Sequence, residues 1–491
     1  MMETRYNWII YLLAGVLLGG CNGNRFTQIQ EVLEVDPAIF PDYKNVTVPV
    51  NIAPLNFSYL GDEPCRLLIK AAGHELMQIE GSRGLFSFPD SDWKKWMEQY
   101  AGDSLCLTVL AYQSEQWKQY RSFSIYIAPD SIDTYLSYRL IPPGYEGWRE
   151  MGLYQRDLSS YEQRPILENR LTNGNCVNCY AYCERDPSRM MFHARADLDG
   201  TLILKNGVIE KLNVQTEQMP GPFVYPYWHP SGDYIAFSMN KTRQNFYNHD
   251  PDRVEVYDTA SDVVVYSVKD HKIITSSLLR SADAFETFPA FSPDGRFLYF
   301  CSAVAVDSLP QNSRQVKYSL CRIAFDPQNE LLGEVVDTLY NARTEGQSAS
   351  FPRLSPDGRF LVFTLHDFGN FSIWHKEADL YMIDLHTSRK YPLAAFNSEE
   401  VESYHSWSGN SRWMVFSSRR GDGLYTRPFI GYIDLEGVEH KPFLLPQKDP
   451  LTYYRDLMFS YNIPELMHSE VTVDAYQLAT CLRKGKRSGR R

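Results

Sequence analysis

A turn-centred motif recurs four times in this chain and limits the folds that it can adopt. Its copies read YPYWHPSGDYIAFS, FPAFSPDGRFLYFCS, FPRLSPDGRFLVFT and YHSWSGNSRWMVFSS. The turn residues Gly232, Gly295, Gly358 and Ser411 follow one another at intervals of 63, 63 and 53 residues. An aromatic segment, a Gly-containing turn and an alternating apolar run are typical of a β-hairpin. The repeat therefore predicts one β-hairpin unit per copy.

The strands that follow these turns are apolar on both faces. In the second copy, Phe297, Tyr299 and Cys301 alternate with Leu298 and Phe300. A strand of this kind must be covered on both sides, and radially packed four-stranded blades provide that cover. We therefore expect an all-β propeller, and six blades are favoured over seven.

Segments between the copies supply further blade strands. RVEVYDT, YSLCRIAFD, ADLYMIDLHT and FIGYIDLEG each follow a hairpin as a third strand would. Residues 186–212 are predicted to belong to a fifth blade, with Asn206-Gly207 as its second turn. Residues 133–148 and 456–466 are predicted to pair, so that strands from both ends of the repeat region complete a sixth blade and close the ring.

The hairpin resembles the TolB-type propeller repeat, whose hallmark is a bulky residue followed by Ser-Pro-Asp-Gly and an alternating apolar strand. The resemblance is strongest at residues 293–295 and 356–358. Residues 135–204 are similar to a group of exported bacterial TolB-like lipoproteins, some of which are described as cytochrome-related because their motif reads C-x-x-C-H. The resemblance implies a six-bladed TolB-type β-propeller, here assigned to residues 131–466, and it says little about activity.

Residues 36–130 do not show the repeat and are predicted to form a small β-sandwich. Short apolar segments separated by turn residues are typical of that architecture. One helix is expected within it, with Ser91 as its N-cap. Four large side chains form a single stripe along this helix and are expected to pack in the core: Trp93, Trp96, Met97 and Tyr100.

Residues 1–20 are predicted to be a signal peptide. Arg5 precedes the apolar run WIIYLLAGVLLGG, which is too short to span a bilayer but suits the core of such a peptide. The run leads into Leu-Gly-Gly-Cys, which resembles a bacterial lipobox with Cys21 as the lipidated residue. We therefore expect residues 21–35 to be a tether and the protein to be an outer-membrane lipoprotein that faces the periplasm.

The charge of the chain argues against general binding to nucleic acid. Lys and Arg number 49 against 60 Asp and Glu, which gives a net charge of -11, whereas nucleic-acid binding requires a basic surface. The C-terminal tail, residues 467–491, is the exception to this acidic balance. Its last nine residues form a basic run, which is expected to be solvated. The expected partners are an envelope protein or a glycan, and the membrane through the lipid anchor.

The segment NCVNCY contains a C-x-x-C pair, Cys176 and Cys179, that could bind a cofactor. Such a pair attaches haem c when the next residue is His. Tyr180 occupies that position, so haem attachment would need another axial ligand, such as His193. No cofactor is therefore the preferred expectation, and haem at Cys176 and Cys179 remains an alternative.

Other interpretations of the cysteines follow from export. Disulfides persist in an oxidising compartment, and a bridge that clamps the first blade at the C-x-x-C pair is the preferred interpretation. Cys65 and Cys106 form a second candidate disulfide in the N-terminal unit. A tetrahedral metal site is the weaker alternative, with inert free thiols as a further one. The candidate ligands of such a metal site are Cys176, Cys179, Cys183 and His193.

No catalytic signature is found in the sequence. It contains no G-x-S-x-G, H-E-x-x-H or Walker A motif. His229 and His405 could face a central channel, although a local structural role is preferred for both. The preferred function is therefore a non-catalytic scaffold that binds an envelope protein or a glycan. The alternative is a redox or electron-transfer module that uses Cys176 and Cys179.

Overall fold

A computed structural model describes residues 29–143, 150–212, 222–247 and 253–484. The predicted signal peptide and the lipidation site Cys21 lie outside these ranges. Strands dominate the described chain and its helices are short. Among them, no helix has both the length and the apolar character needed to cross a bilayer.

Two sheets and one helix form the N-terminal unit. The larger sheet has seven strands: β1 (Ile29–Val32), β3 (Val46–Pro49), β5 (Cys65–Ala71), β6 (His74–Glu80), β8 (Ser104–Gln113), β9 (Gln116–Gln119) and β10 (Phe123–Ala128). The smaller sheet has three: β2 (Ile39–Phe40), β4 (Phe57–Tyr59) and β7 (Leu85–Phe86). The unit is therefore rich in strands, as its sequence predicts.

Helix α1 (Asp90–Gln99) buries the predicted apolar stripe. Trp93, Trp96 and Met97 are buried in the core of the N-terminal unit, where Trp93 Nε1 donates a hydrogen bond to a backbone carbonyl at 2.9 Å. The predicted cap is wrong. Ser91 lies inside the first turn, and Pro89 at the N-cap position makes no side-chain hydrogen bond.

The disulfide predicted between Cys65 and Cys106 is also wrong. Strands β5 and β8 are antiparallel, with Cys65 opposite Ala111 and Cys106 opposite Lys70. The two cysteines therefore lie at opposite ends of the strand pair and on opposite faces, whereas a disulfide requires Cα atoms within about 7 Å. All eight cysteines in the described ranges are free thiols, so the disulfide clamp predicted at Cys176 and Cys179 is not formed either.

Six four-stranded antiparallel sheets follow, named A to F. Sheet A has β11 (Tyr135–Ile141), β12 (Gly152–Asp157), β13 (Gln163–Glu168) and β34 (Ser460–Met467). Sheet B has β14 (Val177–Cys183), β15 (Asp186–Ala194), β16 (Gly200–Lys205) and β17 (Val208–Leu212). Sheet C has β18 (Phe223–Trp228), β19 (Tyr234–Phe246), β20 (Val254–Ser267) and β21 (Lys272–Ile274).

The remaining sheets repeat the same order. Sheet D has β22 (Ala284–Phe291), β23 (Phe297–Val304), β24 (Ser319–Asp326) and β25 (Leu331–Tyr340). Sheet E has β26 (Ser348–Leu354), β27 (Phe360–His366), β28 (Asp379–Asp384) and β29 (Arg389–Pro392). Sheet F has β30 (Glu402–Trp407), β31 (Trp413–Ser418), β32 (Arg427–Tyr432) and β33 (Phe443–Leu444).

The sheets form a β-propeller, as the sequence predicts. Their inner strands contact one another in turn, from β14 through β18, β22, β26 and β30 to β34. The Tyr180 hydroxyl on β14 donates a hydrogen bond to the Ile463 carbonyl on β34, which joins the two ends of this series. Apolar side chains of adjacent sheets pack together in shared cores, and these cores provide the two-sided cover that the repeat requires.

Strands from both ends of the repeat region complete sheet A. Strand β11 is antiparallel to β34, with Leu136 opposite Leu466 and Leu140 opposite Tyr461. The predicted pairing of the segments 133–148 and 456–466 is therefore confirmed for their described residues. Because β34 is the only strand of sheet A that comes from the C-terminal side, this pairing ties the two ends of the propeller together.

In three of the repeat hairpins, a buried serine stabilises the turn. The Oγ atoms of Ser292, Ser355 and Ser408 accept hydrogen bonds from the backbone N–H five residues later, at 3.0, 2.9 and 3.0 Å. The turn glycines Gly295 and Gly358 have φ angles of 72° and 75°, which few residues other than glycine adopt easily. The Ser-Pro-Asp-Gly pattern is thus explained by hydrogen bonding and backbone conformation.

Three further helices lie outside the sheets: α2 (Ala342–Glu345), α3 (Pro450–Asp456) and α4 (Ala475–Lys484). Leu478, Ala479 and Leu482 of α4 are buried in the core that sheets A and B share, and Lys211 Nζ donates to the Leu482 carbonyl at 2.9 Å. Arg483 and Lys484, where the basic run begins, are exposed at the end of α4, and the solvated tail stays a prediction. Residues 485–491 lie outside the described ranges.

Candidate functional site

One residue near the middle of each inner strand has a left-handed backbone, with φ between 48° and 53°. Each lies where the pairing register shifts between the inner strand and its neighbour. Such a bulge re-aims its side chain. We call these six residues the bulge ring: Cys179, Tyr225, Phe288, Phe351, Tyr404 and Ile463.

The aromatic members of the bulge ring pack against one another at the propeller axis. The ring centroids of Tyr225 and Phe288 are 4.5 Å apart, those of Phe288 and Phe351 are 4.1 Å apart, and those of Phe351 and Tyr404 are 4.7 Å apart. Positive φ is uncommon for such bulky residues. Since it recurs in all six sheets, the unusual backbone of Cys179 is a feature of the fold and not of its C-x-x-C motif.

A cavity of about 320 Å³ lies against the bulge ring, and we call it the axial cavity. Cys179, Tyr225, Tyr404 and Ile463 of the bulge ring line it. The other lining residues come from sheets A, B, C and F and from the segment that follows β27. Its volume lies within the range of small-molecule sites, about 300–1,000 Å³.

Three arginines line the axial cavity: Arg139, Arg195 and Arg419. Arg139 is 7% exposed and Arg419 is 4% exposed. None of the three forms an ion pair with a described carboxylate, and no described lining residue is acidic. Since burial of an uncompensated charge is costly, this arrangement favours a negatively charged occupant.

Arg419 is held rigidly in the wall. Its Nε donates to the Ile373 carbonyl at 2.8 Å, and its Nη1 donates to the Leu424 carbonyl. The guanidinium carbon lies 3.4 Å from the centroid of the Trp374 ring. Burial lowers the pKa of Arg419 to about 9, so the group remains protonated at neutral pH.

Five buried polar atoms of the lining have no hydrogen-bond partner among the described residues: Arg139 Nε, Arg195 Nε, Asn178 Oδ1, Asn240 Oδ1 and Asn462 Oδ1. The orientation of Asn240 is fixed, because its Nδ2 donates to Asp258 Oδ2 at 2.7 Å. Buried polar groups are nearly always paired in native proteins. Together with the three arginines, these five atoms make the axial cavity the candidate binding site.

One wall of the cavity comes from an extended hairpin in sheet C. Strands β19 and β20, the second and third of the sheet, contain 13 and 14 residues, whereas the second and third strands of the other sheets contain 6 to 9. We call their extension, residues 240–247 and 253–260, the arm. Its cavity-lining side chains on β19 alternate along the strand: Asn240, Thr242, Gln244 and Phe246.

The structure places both cysteines of the C-x-x-C pair in the lining of the axial cavity. Burial raises the pKa of Cys176, and the positive charges of Arg139 and Arg195 oppose that rise. Tyr180 points elsewhere, since its ring packs in the core between sheets A and B. The residue at the usual position of the haem ligand is therefore turned away from the cavity.

The four residues considered as a metal site are not brought together. Cys183 Sγ lies 3.6 Å from the His229 carbonyl, outside the cavity lining. His193 Nδ1 lies 3.1 Å from Thr201 Oγ1, and its Nε2 lies 3.4 Å from Asp199 Oδ1. Within the ranges that the structure describes, no group of three or more His, Cys, Asp or Glu residues could hold a metal ion. The residues present also fit haem poorly, because neither Tyr180 nor His193 is available as an axial ligand.

His229 and His405 have local structural roles. His229 Nε2 lies 3.1 Å from the Gly295 carbonyl and links the hairpins of sheets C and D. His405 Nε2 lies 3.0 Å from the Val362 carbonyl, between sheets E and F. Neither residue lines the axial cavity, so the preferred interpretation from the sequence agrees with the structure.

The arginines of the cavity were not recognised from the sequence. A signal was nevertheless present, because Arg195 and Arg419 each follow directly after the second strand of a sheet, β15 and β31. A charged residue at the same place in two repeats indicates a shared position at one end of the propeller. Arg139 gives no such signal, since it lies inside the otherwise buried strand β11.

No protein-family model matches the chain, and no curated protein matches it. Solved structures that match include an oligogalacturonate lyase from Vibrio parahaemolyticus, with 11% identity, 63% of this chain and 79% of that chain covered, and a TM-score of 0.38. Prolyl oligopeptidase B from Galerina marginata matches with 11% identity, 70% and 43% coverage and a TM-score of 0.37. The match therefore spans less than half of that second protein. At these identities and TM-scores, the likenesses carry no argument about what this chain binds or does.

Proposed function

We propose that this protein is a non-catalytic binding protein of the bacterial cell envelope. In this proposal it is a TolB-like lipoprotein with a six-bladed propeller and an N-terminal β-sandwich, tethered to the outer membrane through Cys21. The six four-stranded sheets and the series of inner-strand contacts support the blade count. The envelope location rests on the lipobox-like sequence before Cys21.

The observation that carries the proposal is the axial cavity with its five unpaired polar atoms. Asn240 is held by Asp258 before any ligand arrives, so ordering this side chain costs little conformational entropy on binding. The described lining contains no Asp, Glu or His, the side chains that most often transfer protons in catalysis. A site of this composition suits the binding of a partner protein segment or a glycan better than turnover of a substrate.

A matched pair of variants tests this function. Asn462→Leu replaces an unpaired cavity side chain, whereas Asn245→Leu changes a residue of the same type on the arm that does not line the cavity. We expect wild type and Asn245→Leu to recover the same ligand or partner from envelope extracts, and Asn462→Leu to recover less. Equal recovery by all three proteins, or no recovery with wild type, would contradict the proposal.

A redox or electron-transfer module is the second candidate, because Cys176 and Cys179 line the same cavity. A dithiol that exchanges with an external thiol–disulfide partner is favoured over haem, for which the residues present fit poorly. Thiol titration of wild type and of a Cys176→Ser, Cys179→Ser double variant tests it. Reversible loss of two thiols in wild type only supports the dithiol, and thiols that resist every redox buffer would exclude it. A haem-stained band after periplasmic expression would support haem instead.

A further inference from the structure

The charges that face the axial cavity have one sign. Its described lining carries three guanidinium groups and no carboxylate. Asp422 and Glu400 act on Arg419 through charge but do not line the cavity, and two other acidic groups are engaged elsewhere. Asp258 accepts hydrogen bonds from Asn240 and Asn370, and Glu465 lines a separate pocket with Arg353. Within the described residues, the cavity lining therefore contains no carboxylate to balance its arginines.

The arginines present donors to an incoming acceptor. Arg139 Nε and Arg195 Nε have no partner in the described chain. Arg419 uses Nε and Nη1 for backbone carbonyls, which fixes the plane of its guanidinium and leaves Nη2 for a ligand. Guanidinium groups form their strongest hydrogen bonds with carboxylate and phosphate oxygens. The complementary ligand group is therefore an oxyanion.

The unpaired asparagine oxygens can accept hydrogen bonds from donors of the same ligand. Asn178 lies on β14, Asn240 on β19 and Asn462 on β34, so their acceptor atoms belong to three different sheets. A hydroxylated ring presents several O–H donors in different directions within one compact group, whereas the N–H donors of a peptide backbone are spaced along an extended chain. This distribution favours a sugar over a peptide.

We propose that the axial cavity binds an acidic saccharide residue through Arg139, Arg195 and Arg419, with the asparagine oxygens accepting its hydroxyl groups. The inference deepens the proposed binding function and rests on it. The cavity volume of about 320 Å³ suits one sugar residue with its charged group. Thr242, Gln244 and Phe246 continue along the arm and provide a surface for the adjoining part of a longer glycan.

Isothermal titration calorimetry with glucuronate, glucose 6-phosphate and glucose tests the proposal. The first two probes share a pyranose ring and differ in their oxyanion, so they distinguish a carboxylate from a phosphate ligand. We expect at least one of them to bind and neutral glucose to bind at least about tenfold more weakly. Equal affinity for glucose and both acidic sugars would overturn the proposal.

Variants assign the binding to the cavity. Arg139→Gln removes one charge, and we expect it to weaken binding of the acidic sugar about tenfold or more. Arg139→Lys keeps the charge without the planar fork, so its affinity should be intermediate. Arg296→Gln removes an exposed arginine of a repeat hairpin, outside the lining, and should bind as wild type does. If Arg139→Gln does not fold, the same comparison with Arg195→Gln replaces it.

Failure of this inference is distinguishable from failure of the proposed function. The same probes, together with an acidic peptide, are added as competitors to the envelope pull-down with wild type and Asn462→Leu. If Asn462→Leu loses its ligand but only the peptide competes, the cavity binds a partner protein and the saccharide proposal is wrong. If Asn462→Leu retains its ligand, the cavity is not the binding site and both proposals fail.

Discussion

Asp258 illustrates how one buried group sets the orientation of a cavity residue. Its Oδ2 accepts hydrogen bonds from Asn240 Nδ2 at 2.7 Å and Asn370 Nδ2 at 2.6 Å. Burial raises the pKa of Asp258 to about 7, whereas the unfolded chain ionises near about 4. Between these two values the folded protein holds more protons, so the contribution of Asp258 to the free energy of unfolding falls as the pH rises.

Asp258→Asn removes this titration while it keeps the shape of the side chain. We expect the urea midpoint of wild type to fall between about pH 5 and about pH 8 by more than that of the variant. Asp326→Asn is the control, because Asp326 lies at an exposed turn where hydrogen bonds lower its pKa, so it is ionised throughout this range. Identical pH profiles of wild type and Asp258→Asn would contradict the assignment.

Individual site residues were only partly predictable. The C-x-x-C spacing identified Cys176 and Cys179, and both line the axial cavity. The role of Arg139 could not be derived, because a charged residue within an apolar strand has no partner that sequence spacing reveals. Its significance depends on Arg195 and Arg419, which approach it only after three different sheets have assembled.

At the scale of the single element, the repeat hairpin depends on its serine. Ser355 is buried, donates to Asp357 Oδ1 at 2.5 Å and accepts from the Phe360 N–H at 2.9 Å. We expect Ser355→Ala to lower the free energy of unfolding by about 1–3 kcal/mol, because it leaves a buried N–H unpaired. Urea denaturation measures this change.

Ser91→Ala provides the matched control for the hairpin serine. Ser91 is exposed in the first turn of α1 and does not occupy the N-cap position, so the variant should unfold within about 0.5 kcal/mol of wild type. A loss at Ser91 as large as the loss at Ser355 would mean that α1 does need this side chain as a cap. It would also remove the distinction between the two serines.

Two turn glycines differ in their surroundings and form a second pair. An alanine Cβ at Gly295 would overlap the His229 ring, whereas at Gly358 no other atom lies within 4 Å. Both variants adopt positive φ at a cost of about 1–2 kcal/mol. We expect Gly295→Ala to lose about 1–3 kcal/mol more than Gly358→Ala in urea denaturation, because only Gly295→Ala also causes a steric clash. Equal losses would show that sheets C and D are not joined through His229.

Elements with strong local signals were predicted well from the sequence. The Asp-Gly turns and two-faced apolar runs identified the hairpins of sheets D and E. The bulge ring was not predicted. Its four aromatic members are the first residues of the four repeat copies, but positive φ at a bulge leaves no mark in the apolar pattern. The arm was also missed. Its polar residues, including Thr242 and Gln244, look like a loop until their pairing with β20 is known.

For the whole molecule, stability depends on the closure of sheet A by β34. Tyr461, Leu466 and Met467 of this strand are buried, and β11 loses its partner if they are removed. We expect a chain that ends at Asp456 to lose cooperative unfolding and to be digested rapidly by protease. A chain that ends at Lys484 retains β34 and α4, so it should behave as the full chain does. Cooperative unfolding of the shorter chain would contradict the closed propeller.

The architecture of the propeller was largely predictable, and its cavity was not. Hairpins with two apolar faces must be covered on both sides, so the repeat alone led to stacked sheets. The cavity instead combines residues far apart in the chain, such as Arg139 and Arg195 with Arg419, which lies more than 200 positions after both. Local patterns contain no information about which of these side chains meet across the axis.

The central claim is that the fold holds three arginines without a carboxylate partner among the described residues around one axial cavity that accepts an anion. The most direct test is a crystal structure of the protein soaked in bromide, with anomalous diffraction used to locate the ions. The account predicts a bromide peak inside the cavity within contact distance of Arg139, Arg195 or Arg419 and its loss in Arg139→Gln crystals. Bromide sites confined to the outer surface, with none in the cavity, would contradict it.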